Sequence, residues 1–409
     1  MNFLFLAFHY PPSQAIGARR PLHFVKYLRL LGHRVEVVTT TPQPIAVAGV
    51  HYVPDPACPL RKTSLAGIAH MTLRKFFFPF EDSVICSSNM YRRAEAMIRD
   101  SPSEWFVFST FPPVSTHLAA LRLRQKYPVH WIADFRDPYA QAPTRQNALR
   151  ELPRHLSLLS PAADQWIENR IVRWADLLLA NTDVVAAVWR QRYPQAAHKV
   201  AHLWNGFDPE DTIHAEPIPS RPFQVMSHTG GMYHGRNPGI ILDSLTRLID
   251  RGLLDPARFR LRFIGEMNYD SIPDQAVFDR LVEKGCVEAT GLIPSEQILW
   301  NSDFHLLLDW KEGLQVPAKL FEYIRVGRPV LAVTSQDSPS ARILRQSGTP
   351  HLILSDGTPP GEVDERFLAF LRMPTDPVAP NSWFEEQFDS SRRVNSLLAL
   401  LASGRPPLS

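Results

Sequence analysis

Hydrophobic positions along the chain alternate between short continuous runs and stripes of helical spacing. The first run covers residues 3–8, and apolar residues at positions 18, 22, 25 and 28 then form a helical stripe within residues 18–31. A valine-rich segment at residues 35–39 is the next predicted strand. Buried strands that alternate with helices are typical of a parallel sheet with helices on both faces.

The same alternation continues through two halves of the chain. Predicted strands in the first half are residues 105–109, 129–133, 177–180 and 200–203. Predicted strands in the second half are residues 223–228, 259–264, 287–290, 304–308, 330–333 and 352–354. Residues 209–222 between the halves are polar and rich in proline, which is typical of a linker.

The pattern therefore predicts an α/β protein with two doubly wound, Rossmann-like domains. We place the first domain at residues 1–208, the linker at residues 209–221 and the second domain at residues 222–380. Residues 381–409 remain, and an amphipathic helical pattern runs from position 383 to position 401 within them. We expect this last helix to pack back on the first domain.

Composition and charge indicate an ordinary globular protein. The 409 residues are 44% hydrophobic and 21% charged, and the length suffices for two domains with separate cores. A net charge of +3 without a run of Lys or Arg argues against a nucleic-acid partner. The three cysteines have no metal-ligand spacing, and no apolar run approaches the roughly 18 residues of a membrane span, so we expect a cytoplasmic protein.

One segment is a candidate contact with a membrane surface. Residues 73–80 combine Arg74 and Lys75 with four phenylalanines, a mixture that suits a membrane interface or a lipid-linked acceptor. This interpretation predicts peripheral association with the inner face of a membrane. The alternative is an ordinary loop that plugs the core.

The most informative motif lies between two predicted strands of the second half. Lys319 and Glu322 stand three residues apart on the predicted helix, so they share a face near its N-terminal end. In a strand–helix–strand unit this end opens at the carboxyl edge of the sheet, where ligands bind. The Lys suits the phosphate of a nucleotide-like ligand and the Glu suits its ribose hydroxyls. The alternative is a surface ion pair.

Two glycine-containing loops are candidate anion sites. Gly230 and Gly231 follow the first strand of the second domain, and Arg236 precedes the next predicted helix. Backbone N–H groups and a guanidinium suit a pyrophosphate, although the Lys-Ser/Thr pair of a Walker loop is absent. Gly17, Arg19 and Arg20 stand at the start of the first predicted helix, where a helix N-terminus favours anions. Plain structural turns are the alternative in both places.

A third cluster follows a predicted strand of the first domain. Asp134 and Asp137 stand three residues apart around Arg136, at a carboxyl strand end. Two carboxylates at this place suit a metal, substrate hydroxyls or a catalytic base, and the alternatives are a helix cap or an ion pair with Arg136. His117 lies in the helix before them, where a structural histidine is the more common finding.

These motifs together are far more specific than any one of them. The chain resembles the two-domain glycosyltransferases of the GT-B fold, in particular the retaining enzymes of glycosyltransferase family four, over nearly its whole length. The segments that carry the resemblance occur in family order: His9-Tyr-Pro-Pro12, Gly17-Ala-Arg19, Ser109-Thr-Phe-Pro-Pro113, Asp134-Phe-Arg-Asp-Pro138, Asn205-Gly-Phe-Asp208, Tyr233-His-Gly-Arg236, Phe263-Ile-Gly265 and Pro317-Ala-Lys319-Leu-Phe-Glu322-Tyr323.

The resemblance implies a nucleotide-diphosphate sugar as donor, of UDP or GDP type, and a glycan, lipid-linked or small-molecule acceptor. It implies no metal and no further cofactor. The two domains would face each other across a cleft. The implied catalytic residues are Arg236, Lys319 and Asp137. The implied donor-site residues are Gly17, Gly230, Gly231, Arg236, Leu292, Ile293, Lys319 and Glu322, and the implied acceptor side holds Arg19, His117, Asp134 and Arg136.

One departure from the family leaves the donor sugar open. The family often places a second Glu eight positions before its ribose-binding Glu, in contact with the donor sugar. Leu314 stands at that position here, and Glu312 lies two residues before it. This departure also leaves open a non-catalytic relative that binds a nucleotide sugar. A sugar-nucleotide epimerase of similar two-domain fold is the other rival interpretation.

Overall fold

The chain forms two compact domains. The computed structural model describes residues 1–40, 45–54, 86–137, 139, 159–211, 220–232, 235–291, 301–309 and 313–403. The N-terminal domain comprises Met1–Asn205 together with Ser390–Ser409, and the C-terminal domain comprises Gly206–Asp389. Each domain is built on a parallel β-sheet with helices, so the predicted fold class is confirmed.

The sheet of the N-terminal domain has seven strands in the order β3-β2-β1-β4-β5-β6-β7, all parallel. Its strands are β1 (Asn2–Leu6), β2 (Arg34–Thr40), β3 (Val50–Val53), β4 (Trp105–Phe111), β5 (His130–Phe135), β6 (Leu177–Ala180) and β7 (Val200–His202). The sequence pattern did not predict β3, which is a short edge strand with half-buried His51 and Tyr52 at its centre.

The sheet of the C-terminal domain has six strands in the order β10-β9-β8-β11-β12-β13, again all parallel. Its strands are β8 (Gln224–Thr229), β9 (Phe259–Ile264), β10 (Val287–Ala289), β11 (Phe304–Leu308), β12 (Val330–Val333) and β13 (His351–Leu354). Every residue of β11 and β12 is buried, which is why these strands appear as unbroken apolar runs.

Helices connect the strands. The described helices are α1 (Arg19–Leu30), α2 (Cys86–Ile98), α3 (Ser115–Lys126), α4 (Leu159–Trp174), α5 (Asp183–Arg192), α6 (Gly239–Asp250), α7 (Gln275–Glu283), α8 (Ala318–Val326), α9 (Pro339–Ser347), α10 (Pro360–Phe370), α11 (Ser382–Phe388) and α12 (Ser390–Ser403). Within the described residues, no helix combines the length and the apolarity that a membrane span requires.

The C-terminal segment forms two helices where the pattern predicted one. Asp389, with extended backbone at φ −61° and ψ 122°, separates α11 from α12. The two helices serve different cores. Phe384 and Phe388 of α11 pack on Phe321 of the C-terminal domain, whereas α12 packs on α1 and adds apolar residues to the N-terminal core. The last helix therefore packs on the first domain, as predicted.

Candidate functional site

The turn after β8 depends on two glycines. Gly230 has φ +90°, a backbone conformation that side-chain-bearing residues rarely adopt. Gly265, at the end of β9, lies so close to it that a Cβ there would come 2.7 Å from the Gly230 carbonyl carbon. The Gly230 backbone also lies next to Lys319, whose Nζ is 3.4 Å from the position of a Gly230 Cβ. The glycine turn after β8 and the first turn of α8 are therefore in direct contact.

Two residues of α8 attach this helix to the end of β8. Nζ of Lys319, in the first turn of the helix, lies 3.0 Å from Nε2 of His228. The Tyr323 hydroxyl, one turn later, accepts a hydrogen bond of 2.9 Å from the Thr229 N–H and lies 3.0 Å from Thr229 Oγ1. The N-terminal end of α8, with its positive dipole end, is thereby held at the carboxyl edge of the sheet.

The charges around Lys319 favour an anionic ligand. Arg236 is buried, and its Nη1 donates a hydrogen bond of 2.7 Å to the Gly231 carbonyl across the glycine loop. Burial, followed by the charge of Arg236, lowers the pKa of Lys319 to about 6, while Glu322 and Asp309 act in the opposite direction. Two basic side chains that lie together in a partly dehydrated site suit a ligand with the two negative charges of a diphosphate.

A polar cavity of about 710 Å³ adjoins these residues in the C-terminal domain. Arg236, Asp309, Thr334 and Gln336 are among its lining residues. Asp309 follows β11, and its Oδ2 accepts hydrogen bonds from Ser340 Oγ at 2.6 Å and Thr334 Oγ1 at 3.2 Å. The cavity therefore offers hydroxyl, amide and carboxylate groups, which suit a ligand with several hydroxyls.

In the N-terminal domain, Arg136 holds the first loop in place. Its Nε donates to the Phe111 carbonyl at 2.9 Å, its Nη1 to the Gly17 carbonyl at 2.8 Å and its Nη2 to the Pro112 carbonyl at 2.8 Å. Burial lowers the pKa of Arg136, whereas Asp137 and Asp134 act in the opposite direction. Gly17 lies directly before α1, so its loop is fixed by a guanidinium at a helix N-terminus.

Asp134 forms a buried ion pair with Arg20. Nη2 of Arg20 donates to Asp134 Oδ1 at 2.7 Å, and its Nε lies 3.1 Å from each carboxylate oxygen. Thr110 Oγ1 donates to Asp134 Oδ2 at 2.9 Å, and Arg20 also bonds the Trp204 carbonyl at 2.8 Å. The pairing partner is thus Arg20 rather than Arg136. The neighbouring Arg19 is exposed and Asp137 is half-buried.

His117 is completely buried, within a cluster of aromatic rings. Its Nδ1 lies 2.7 Å from Ser109 Oγ, which also accepts a hydrogen bond of 2.8 Å from Trp131 Nε1. Burial, then the charge of Arg136, lowers the pKa of His117 to about 3. These contacts favour the structural alternative, and a contact of His117 with an acceptor stays a prediction.

The structure brings the predicted residues together in two groups. Arg236, Lys319 and Glu322 gather with the glycine loop in the C-terminal domain, and Gly17, Arg136 and Asp134 gather in the N-terminal domain. Leu292, Ile293, Glu312 and residues 73–80 lie outside the described residues. No group of three metal-ligating side chains occurs in the part of the chain that the structure describes.

His228 was missed at the level of sequence, and Arg19 rather than Arg20 was assigned to the acceptor side. His228 is the next-to-last residue of β8 and stands two positions before the paired glycines. Its place at a carboxyl strand end was a signal that could have identified it. Arg20 offered no such signal, because its neighbour Arg19 has the same chemistry.

Comparison with known proteins identifies the fold. No protein-family model matches the chain, and no curated protein matches it. HepE from Anabaena in complex with UDP and glucose is 14% identical, with 98% of this chain and 100% of that chain covered and a TM-score of 0.60. A glycosyltransferase from Rickettsia africae is 9% identical, with 98% of each chain covered and a TM-score of 0.59.

A UDP-forming α,α-trehalose-phosphate synthase from Burkholderia xenovorans is similar in the same way. It is 12% identical, with 98% of this chain and 99% of that chain covered and a TM-score of 0.57. Identities this low show the fold alone. The two parallel-sheet domains of this chain have the GT-B fold of glycosyltransferases.

Proposed function

We propose that this protein is a glycosyltransferase that moves a sugar from a nucleotide-diphosphate donor to a glycan, lipid-linked or small-molecule acceptor. The observation that carries the proposal is the pair of basic side chains Lys319 and Arg236 beside the glycine turn at the carboxyl edge of the sheet. The similar structure of HepE, which holds UDP and glucose, supports a uridine nucleotide as donor.

Transfer requires the bond between the sugar and the diphosphate to break. Negative charge then develops on the diphosphate and positive charge on the anomeric carbon. Arg236 and Lys319 stabilise the leaving diphosphate, and the Gly231 N–H donates to its oxygens. The Gly230 N–H donates instead to the Ile264 carbonyl at 2.7 Å, so Gly230 contributes through the shape of the turn. Glu322 binds the ribose hydroxyls. Preplaced cations of this kind favour the separated charges more than the ground state, which is how they accelerate the reaction.

The acceptor is bound by the N-terminal domain in this proposal. Asp137 is half-buried, and it takes the proton of the attacking hydroxyl. Asp134 and Arg136 shape the acceptor side through the groups that they hold in place. Asp134 pairs with Arg20, and Arg136 donates to the Gly17 carbonyl. We further propose that the sugar keeps its anomeric configuration and that no metal takes part. Proton NMR of the product tests the first point, and activity in the presence of EDTA tests the second.

The deciding experiment combines binding and transfer. A thermal-shift screen with UDP-, GDP- and dTDP-sugars identifies the donor, because a ligand of the native state raises the melting temperature. Release of the nucleoside diphosphate is then measured for the wild type and for Arg236→Ala and Lys319→Ala. Each variant should be slower by ~10²-fold or more, the scale for the loss of one such electrostatic group.

Lys284→Ala is the matched control, because Lys284 is an exposed lysine of the same domain that lies 3.9 Å from Asp250. This variant should keep the wild-type rate. Wild-type rates in both Arg236→Ala and Lys319→Ala would refute the assignment. Binding of a nucleotide sugar without any transfer would support the non-catalytic interpretation instead.

A further inference from the structure

His228 contacts Lys319 in a defined tautomeric state. The histidine is completely buried, and its Nδ1 lies 2.9 Å from the Leu306 carbonyl. A carbonyl can only accept a hydrogen bond, so Nδ1 carries the proton. Burial, followed by the charges of Lys319 and Arg236, lowers the pKa of His228 well below its usual value, so the ring is neutral. Its Nε2 lone pair therefore accepts the hydrogen bond from Lys319 Nζ at 3.0 Å.

The charged groups around Lys319 make its protonation dependent on a ligand. Arg236 and burial disfavour the ammonium form, while Glu322 on the same helix and Asp309 after β11 favour it. Together with His228, these residues are the groups whose charge or contact acts on Lys319. Lys319 is buried against the neutral His228 ring, with Nζ 3.0 Å from Nε2, and burial and then Arg236 lower its pKa to about 6. Without a bound anion, its amine is therefore mostly neutral at neutral pH.

We propose that His228 is a positioning residue for Lys319, and that a nucleotide diphosphate draws a proton from solution onto Lys319 when it binds. The inference rests on the proposed function, whose diphosphate site it describes further. The proton passes from water or buffer to Nζ, and no other bond changes. The ammonium then has three N–H groups, of which one stays on His228 Nε2 and the others point to phosphate oxygens.

This arrangement has a physical advantage in the empty site. Two permanent cations in a dehydrated pocket would repel each other strongly, and a neutral amine removes that repulsion until a diphosphate supplies compensating charge. The neutral amine still donates to Nε2, so Lys319 keeps its orientation. Linkage then requires affinity to fall as the pH rises above the pKa of the empty site, by about tenfold per pH unit for one proton taken up.

Isothermal titration calorimetry measures the proton directly. UDP-glucose is the probe, because its diphosphate is fully ionised at neutral pH and contributes no proton of its own. Titrations at about pH 7.5 in PIPES, HEPES and Tris should differ in heat by the ionisation heat of about one proton per nucleotide bound. Lys319→Arg, whose guanidinium is always charged, should bind without this buffer dependence.

The calorimetric outcomes test the proton uptake and the proposed function separately. UDP-glucose that binds with a heat independent of the buffer refutes the proton uptake and leaves the proposed function intact. GDP-mannose replaces UDP-glucose where the latter does not bind. Failure of both nucleotide sugars, and of a dTDP-sugar, to bind would refute the proposed function and the inference with it.

Two substitutions at His228 test its positioning role. His228→Asn places an amide near the Nδ1 position, so it keeps a donor for the Leu306 carbonyl but provides no acceptor for Lys319. His228→Gln extends an amide oxygen towards the Nε2 position and restores an acceptor. The Asn variant should bind UDP-glucose about tenfold more weakly, the scale of one hydrogen bond to a charged group, and the Gln variant should recover most of this loss.

The pH profile distinguishes positioning from packing. Loss of the acceptor disfavours the ammonium, so in His228→Asn the fall in affinity should begin about one pH unit lower than in the wild type. His228→Gln should restore the wild-type profile. A purely structural role predicts equal losses in both variants and an unmoved profile, and that result would overturn the assignment of His228.

Discussion

Gly17→Ala perturbs the contact between the first loop and Arg136. A Cβ at Gly17 would lie 2.6 Å from Arg136 Nη1, 3.1 Å from Nη2 and 3.3 Å from Cζ. The φ of Gly17 lies outside the left-handed region, so the methyl group strains the contact and not the backbone. The guanidinium must move, although three carbonyl acceptors hold it.

The hydrogen bonds of Arg136 determine how much stability Gly17→Ala should cost. A hydrogen bond to a charged group contributes about 1.5–3 kcal/mol, and the methyl group displaces the two terminal nitrogens of the guanidinium. Water can replace part of this loss because Arg136 is only half-buried, so we expect a cost of about 2–4 kcal/mol. In a domain of this size, that cost lowers the melting temperature of the N-terminal domain by about 5–15 °C.

Differential scanning calorimetry of four proteins tests the reasoning. They are the wild type, Gly17→Ala, Arg136→Ala and the double variant. If the guanidinium is the obstacle, Gly17→Ala should cost less than about 0.5 kcal/mol once Arg136 is truncated. Gly361→Ala is the matched control, because a Cβ at this helical position meets open space beyond its own helix, and it should be neutral or stabilising. An equal cost of Gly17→Ala in both backgrounds would refute the explanation.

Two further predictions concern charged residues of the two domains. Arg20→Ala leaves the buried Asp134 carboxylate without its guanidinium and should destabilise the N-terminal domain by about 3–5 kcal/mol in urea unfolding. Arg19→Ala at the exposed neighbouring position should change stability by less than about 0.5 kcal/mol, and equal effects would contradict the importance of the ion pair. Glu322→Ala should weaken UDP binding about tenfold in calorimetry, the scale of one charged hydrogen bond, with little change in melting temperature. Unchanged affinity would contradict its ribose role.

The sequence predicts most strands of both sheets, because strands covered on both faces leave continuous apolar runs. The predicted boundaries of β6, β9, β11 and β12 agree with the structure residue by residue. The edge strand β3 has only four residues, two of which are His51 and Tyr52, so it lacks such a run. A strand of this kind is defined by its pairing with β2 and not by its own composition.

Two basic residues of the candidate site could be located from the sequence, because they stand near a helix N-terminus in the connections that follow buried strands. Lys319 and Arg236 are found in this way, and both lie at the charged site of the C-terminal domain. The choice between Arg19 and Arg20 was not predictable, because it depends on the rotation of α1 about its axis. In the packed domain that rotation turns Arg20 towards Asp134.

The remaining differences between the sequence-based predictions and the structure involve contacts between residues that are far apart in the chain. Arg20 and Asp134 are 114 residues apart, and His228 and Lys319 are 91 residues apart, so no local pattern connects them. The chemistry of His117 was equally open, since a histidine on an apolar helix face has the same sequence signature in a core as in a site. Its place among Phe111, Trp131 and Phe135 is a property of the packed domain.

The helix α12 makes the N-terminal domain discontinuous, and this affects how the chain reaches its native state. Val394, Leu397 and Leu400 of this helix belong to the core that contains Phe24 and Leu28 of α1. Burial of three such side chains contributes about 5–9 kcal/mol, which is comparable to the net stability of a whole domain. During synthesis, the first domain therefore cannot complete its core until the entire second domain has been made. Until then, the apolar surface of α1 that α12 later covers stays exposed. The second domain is one continuous segment and can complete its core first, although it is made later.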